Sequence, residues 1–158
     1  MKDSSFSISF DQPVHGWLPT EIRIADEVVS FAASNVFNDP VRELATGARS
    51  LLHGATRTVS RWWLEPKWYA LIMERETNSE SVCIVLFCDH PDEMPNPSIQ
   101  QFTTIAPLRT VCQGIAKSLR AMIREVDLSS DEGRRAWNSP FPEDTITEIY
   151  EALRSEHH

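Results

Sequence analysis

The sequence predicts an α+β fold: an antiparallel sheet of about six strands, one helix inserted after the third strand, and two C-terminal helices packed on the sheet. Three observations carry that prediction. Strand-like segments dominate the first two thirds of the chain and helix-like ones the last third. Tight turns join the strands, which makes them antiparallel neighbours. The one helical stripe in the first half is bracketed by cap signals, Asn38-Asp39-Pro40 before it and His53-Gly54 after it. With 158 residues, 41% hydrophobic and 24% charged, the chain reads as one globular domain over 1–158 that can bury a core without disulfides or metal.

Phe6-Ser7-Ile8-Ser9-Phe10 alternates strictly and reads as a strand with one buried face. Gln12-Pro13 and His15-Gly16 punctuate a loop. Glu21 to Ile24 and Val28 to Ala33 read as two strands joined through Ala25-Asp26-Glu27, although this connection lacks the favoured Asn-Gly or Asp-Gly pair. After Pro40, the residues Val41, Leu44, Ala45, Ala48, Leu51 and Leu52 fall on one helical face, and Gly54 suits a left-handed cap. Thr56 to Leu64 and Trp68 to Arg75 follow as strands, separated by Glu65-Pro66-Lys67 because Pro66 cannot donate within a ladder. Val82 to Cys88 is apolar on both faces, as a central strand covered on both sides would be.

Residues 89–98 hold three prolines and read as a loop. Ile99 to Ile105 reads as one more strand, at an edge. Pro107 opens the longest helix, with Leu108, Val111, Cys112, Ile115, Leu119, Met122, Ile123 and Val126 as its apolar stripe and Gly114 tolerated within it. Ser129-Ser130-Asp131 caps a short helical turn towards Trp137, and Pro140-Phe141-Pro142 is a rigid stop. Glu143-Asp144 begins a last helix whose face carries Ile146, Ile149, Tyr150 and Leu153; residues 154–158 read as a disordered tail.

The formal net charge is -8, with 10 acids against 8 bases in residues 1–79 and 13 against 7 in residues 80–158. Phosphates repel such a chain, so nucleic acid is not an expected partner. The acidity serves solubility, or it docks a basic protein partner. Nothing resembling an apolar leader follows Met1-Lys2-Asp3-Ser4-Ser5, and no apolar run is long enough to span a membrane, so cytoplasm is the default compartment. Cys83, Cys88 and Cys112 are too few and too odd in number for a disulfide framework and read as core residues. Cys83 and Cys88, five apart on a strand, face opposite sides.

Motifs for chemistry are sparse. The five glycines make no phosphate loop, and His15, His53 and His90 form no metal-ligand spacing, although Cys88 and His90 would share a face at a strand end. No Gly-x-Ser-x-Gly elbow occurs. The reading therefore assigns no catalytic residue, no metal and no cofactor. Glu65, set among Trp62-Trp63-Leu64 and Pro66-Lys67-Trp68-Tyr69, is either a general acid raised by its aromatic surroundings or a turn carboxylate paired with Lys67. Trp62 and Trp63 are adjacent, so one points inward and one outward. The outward one is covered by a helix, or it anchors a partner with Trp68 beside it and Arg57 and Arg61 at the rim.

Ser34 shortly before Asn38-Asp39-Pro40, the ending Leu51-Leu52-His53-Gly54, the run Trp63-Leu64-Glu65-Pro66, and Phe141-Pro142 before a final helix together resemble a loose group of small acidic bacterial proteins, some of them similar to immunity proteins of polymorphic toxin systems. The resemblance spans about residues 6–153. It carries no catalytic residue and implies a non-enzymatic binding role. Three functions stay open: an inhibitor-like protein-binding module, a small enzyme or ligand-binding domain with a cleft near Glu65 or His90, and a structural homo-oligomer subunit.

Overall fold

The computed structural model of the chain describes residues 5–65, 67–76, 79–89, 100–137 and 139–155. Seven strands stand side by side in chain order: β1 (Phe6–Phe10), β2 (Trp17–Ile24), β3 (Glu27–Ser34), β4 (Arg57–Trp63), β5 (Trp68–Arg75), β6 (Ser81–Asp89) and β7 (Gln100–Pro107). Every ladder is antiparallel. The helices are α1 (Pro40–Leu52), α2 (Leu108–Glu125), the five-residue α3 (Asp131–Arg135) and α4 (Glu143–Ser155). The α+β class and the antiparallel sheet are as the sequence predicts. The sheet has seven strands rather than about six; the seventh, expected as Ile99 to Ile105, is β7, which pairs with β6 along its whole length.

Two boundaries also differ. β2 begins at Trp17, four residues earlier than its alternation suggests, and contains Pro19. The strand tolerates this proline because its nitrogen faces the end of β1, where only its carbonyl is used, accepting from Asp11 N–H at 3.1 Å. Arg154 and Ser155, expected in a disordered tail, form the last turn of α4. The proline-rich stretch beyond Asp89, with His90 and Ile99, lies outside the described residues, as do Pro66 and residues 156–158.

The inner face of the sheet follows from strand alternation. Ile8, Leu18, Ile22, Ile24, Ala33, Trp62, Leu71, Met73, Val82, Ile84 and Leu86 are buried in one core with the apolar stripes of α1, α2 and α4. α1 starts where Asp39 accepts from Arg42 N–H at 3.1 Å with Pro40 in the first turn, and ends at His53 before Gly54, whose φ is +103°. Gly47 lets α1 press on β4: a Cβ there would sit 3.3 Å from Thr58. α2 lies against β1 and β7, and the sheet curls enough to bring β2 near β7. α4 packs across α1 and α2, so the last helix forms an outer layer instead of resting on the sheet as expected.

The sheet is staggered in its middle. β3 and β4 share one pair only, Ser34 with Trp63, whereas β2 and β3 pair over eight residues and β4 and β5 over seven. The reason is the chain path. β4 runs back alongside residues 35–39 and the start of α1, and Asn38 Nδ2 donates to the Arg61 carbonyl at 2.8 Å where a strand neighbour would otherwise do so.

Candidate functional site: an aromatic row on the open sheet face

Directly paired residues of neighbouring strands share a face. Trp17 pairs with Ser34, Ser34 with Trp63, and Trp63 with Trp68. Three of the five tryptophans of the chain therefore stand in one row across four strands. None of them belongs to the core. Trp62, one residue from this row, has 0% exposure and lies on the inner face beside Tyr69. Of the two adjacent tryptophans, Trp62 is thus the inward one and Trp63 the outward one.

No helix among those described covers Trp63. It is flanked instead by Phe37, whose ring lies 5.3 Å away, and by Trp68 at 6.4 Å. Phe37 is 64% exposed, Val36 beside it 71%, and Trp17 38%. Val36 and Phe37 sit in the segment that carries the chain from β3 to α1, held by Asn38. From the row, the outer face of β5 and β6 continues as Ala70, Ile72, Val85 and Phe87, with Cys83 further along. All but Ala70 in that set are half-buried, and none is part of the core. β6 is apolar on both sides as its sequence indicates, and among the described residues it is the inner side, with Val82, Ile84 and Leu86, that packs in the core with the helices.

Charges near the row are few. Arg61 is exposed on the outer face and reaches Glu43 at 3.9 Å; Arg57 reaches Glu74 at 3.9 Å. Both pairs are long and solvent-exposed, so they lend little stability. Glu65 and Lys67 are exposed at the turn, where Leu64 N–H donates to the Lys67 carbonyl at 2.7 Å. Glu65 has a φ of +50°, a strained value that marks it as a turn residue. The acids that dominate the second half are placed elsewhere: Glu143, Asp144, Glu148 and Glu151 lie along α4, in the outer helical layer. The aromatic row and the acidic helix occupy different faces.

Burial pushes the Cys88 thiol up, with a partly offsetting hydrogen bond from Tyr69, and burial pushes the Tyr69 phenol up to about 12. Cys112 is buried beside the Ala48 carbonyl at 3.6 Å. Among the described residues no group of three His, Cys, Asp or Glu side chains is placed to hold a metal ion.

One concavity escaped the sequence reading. A groove of about 750 Å³ lies between the β1–β2 loop and the α2–α3 connection, bordered by His15, Glu125, Asp127, Glu132 and Arg135. The Ser129 hydroxyl and N–H hold the Asp127 carboxyl below the usual carboxylate range. Gly16 N–H donates to Ala136 O at 2.7 Å and Asn35 donates to Trp137 O, so this border is a structural clasp between the loop and α3. Neither Glu65 nor any residue of the aromatic row borders the groove.

Comparison of the chain with protein-family models, with curated proteins and with solved structures finds no match in any of the three.

Proposed function

We propose that the chain is a non-enzymatic protein-binding module, of the immunity or inhibitor kind that the resemblance implies, and that a protein partner docks on the aromatic row. The observation that carries this reading is the row itself: Trp17, Trp63 and Trp68 stand on a face outside the core, with Phe37 exposed against Trp63. Tryptophan buries a large area at little entropic cost and dominates interface energetics. A sheet face studded with such rings suits another protein's surface, whereas small-molecule sites are concave.

Arg61 and Lys67 at the rim favour carboxylates on the partner where it touches the row. The net charge of -8 favours a basic partner at longer range. Both demands are met by a basic protein whose contact patch is apolar with an acidic border.

The test is capture from the source cells with the tagged chain and with its Trp63→Ala and Phe37→Ala variants, quantified by mass spectrometry. A partner held in equimolar amount by the parent chain and lost by both variants supports the row. A partner held equally by all three, but lost when Glu148 and Glu151 on α4 are changed to Lys, would move the site to the helical layer and defeat the proposal.

A further inference from the structure

The register of β3 leaves one strand edge open. Ile24 and Glu27 flank a two-residue turn, and Asn35 N–H donates to Gly16 O at 3.2 Å in the same register. The odd-numbered residues of β3 therefore bond to β2, and Val28, Ser30, Ala32 and Ser34 turn their N–H and C=O groups the other way. Ser34 meets Trp63. Val28, Ser30 and Ala32 have no backbone partner among the described residues, because β4 ends at Trp63 and no described strand continues in the lane beside them.

The other strands at an edge have neighbours among the helices or loops. β1 and β7 close around α2, and β4 is bordered by α1 and by Asn38. β3 also lacks the devices that keep edges from pairing: no lysine, no proline and no bulge lies within Glu27–Ser34. Val28, Ser30 and Ala32 are exposed, Val28 by 53%.

We propose that a second copy of this chain occupies the edge, the two β3 strands pairing antiparallel about a two-fold axis at Val29. Val28 and Ser30 of each copy then exchange backbone hydrogen bonds with the partner's Ser30 and Val28. A two-fold axis makes identical strands antiparallel, which is the isologous contact most homodimers use. The sequence of the edge fits itself. Glu27, the one charged residue of β3, falls opposite Phe31 instead of its own copy, so no like charges meet across the pair.

Four backbone hydrogen bonds and a short strand bury less than the roughly 800 Å² per partner of a standard interface, so the dimer is weak. Each copy carries -8, so added salt strengthens the association by screening their repulsion. The inference is independent of the aromatic row.

Sedimentation equilibrium on the full chain, from micromolar to millimolar concentration and at low and high salt, tests it. The expected result is a monomer–dimer equilibrium that tightens with salt. Ser30→Pro removes an N–H that bonds nothing within the chain and should weaken the dimer by at least about tenfold with far-UV circular dichroism unchanged. Val28→Lys, at an exposed site, should do the same and decides the matter should the proline variant not fold. A parent chain that stays monomeric throughout overturns the proposal. So does undiminished dimerisation of folded Val28→Lys, or a dimer lost in Trp63→Ala and kept in both β3 variants, which would assign self-association to the aromatic row.

Discussion

Trp62→Ala and Trp63→Ala differ by one position and should behave as different kinds of mutation. Trp62 is wholly buried, its ring 6.0 Å from Phe31 and its strand partner Tyr69 stacked on Phe31 at 4.4 Å. Truncation there removes the transfer free energy of the ring and leaves a cavity, about 3–5 kcal/mol together. For a domain of this length each kcal/mol moves Tm by roughly 2–4 °C, so a fall of roughly 6–20 °C is expected. Trp63 stands on the outer face against Phe37 and Trp68, so its loss should cost about 1–2 kcal/mol of partial burial and no core cavity. Guanidinium denaturation followed by far-UV circular dichroism reads both without relying on tryptophan emission. Trp63→Ala should then lower partner affinity by about 2 kcal/mol or more, a loss of roughly thirtyfold, while Trp62→Ala changes affinity only as far as it unfolds the chain. Equal destabilisation by the two, or a larger effect at Trp63, would refute the assignment of faces on which the site rests.

Two glycines test helix packing with opposite signs: a Cβ at Gly114 meets nothing within 4 Å, so Gly114→Ala should stabilise by about 1 kcal/mol, whereas one at Gly133 would lie 1.7 Å from the Asp127 carbonyl, so Gly133→Ala should dislodge α3 and lower Tm. Ala25 opens the β2–β3 turn with φ at +53°, so Ala25→Gly should raise stability by about 1 kcal/mol, measured by the denaturation midpoint; a decrease would mean the turn is not strained. In the native protein a thiol reagent should modify half-buried Cys83 first and reach Cys88 and Cys112 only on unfolding, as peptide mapping of the labelled chain can show. The Tyr69 phenol, pushed up to about 12 from about 10 chiefly by burial, binds its proton more tightly folded than unfolded. Its contribution is whole below pH 10 and is lost as pH rises towards 12, so ultraviolet titration should show Tyr69 ionising late, together with alkaline unfolding.

Local signals in the chain were legible and non-local ones were not. Alternation placed Trp62 and Trp63, and likewise Cys83 and Cys88, on opposite faces, and cap chemistry located α1 at Asp39-Pro40 and Gly54. The first half of β2 was missed because Pro19 signals a strand's end unless one knows which edge its nitrogen faces. Trp17 escaped the candidate site for a related reason: residues 17, 34, 63 and 68 become a row only once the registers of three ladders are fixed. Phe37 lies in a loop whose neighbours no periodicity reports. The groove beside His15 depends on α3 folding back to the β1–β2 loop, a contact between residues 120 positions apart, Gly16 and Ala136.

Strand order equal to chain order has a bearing on how the molecule assembles. Each ladder forms between consecutive strands, so most of the sheet requires only short loops to close, except where α1 intervenes between β3 and β4. The costly closure is α2 against β1, which brings together segments about a hundred residues apart in the sequence. A nascent chain can therefore lay down β1 to β3 early in synthesis, yet their inner face stays bare until α2 emerges. The rate-limiting event should be the docking of that helix, and its apolar stripe, from Leu108 to Ile123, is where substitutions should slow folding most.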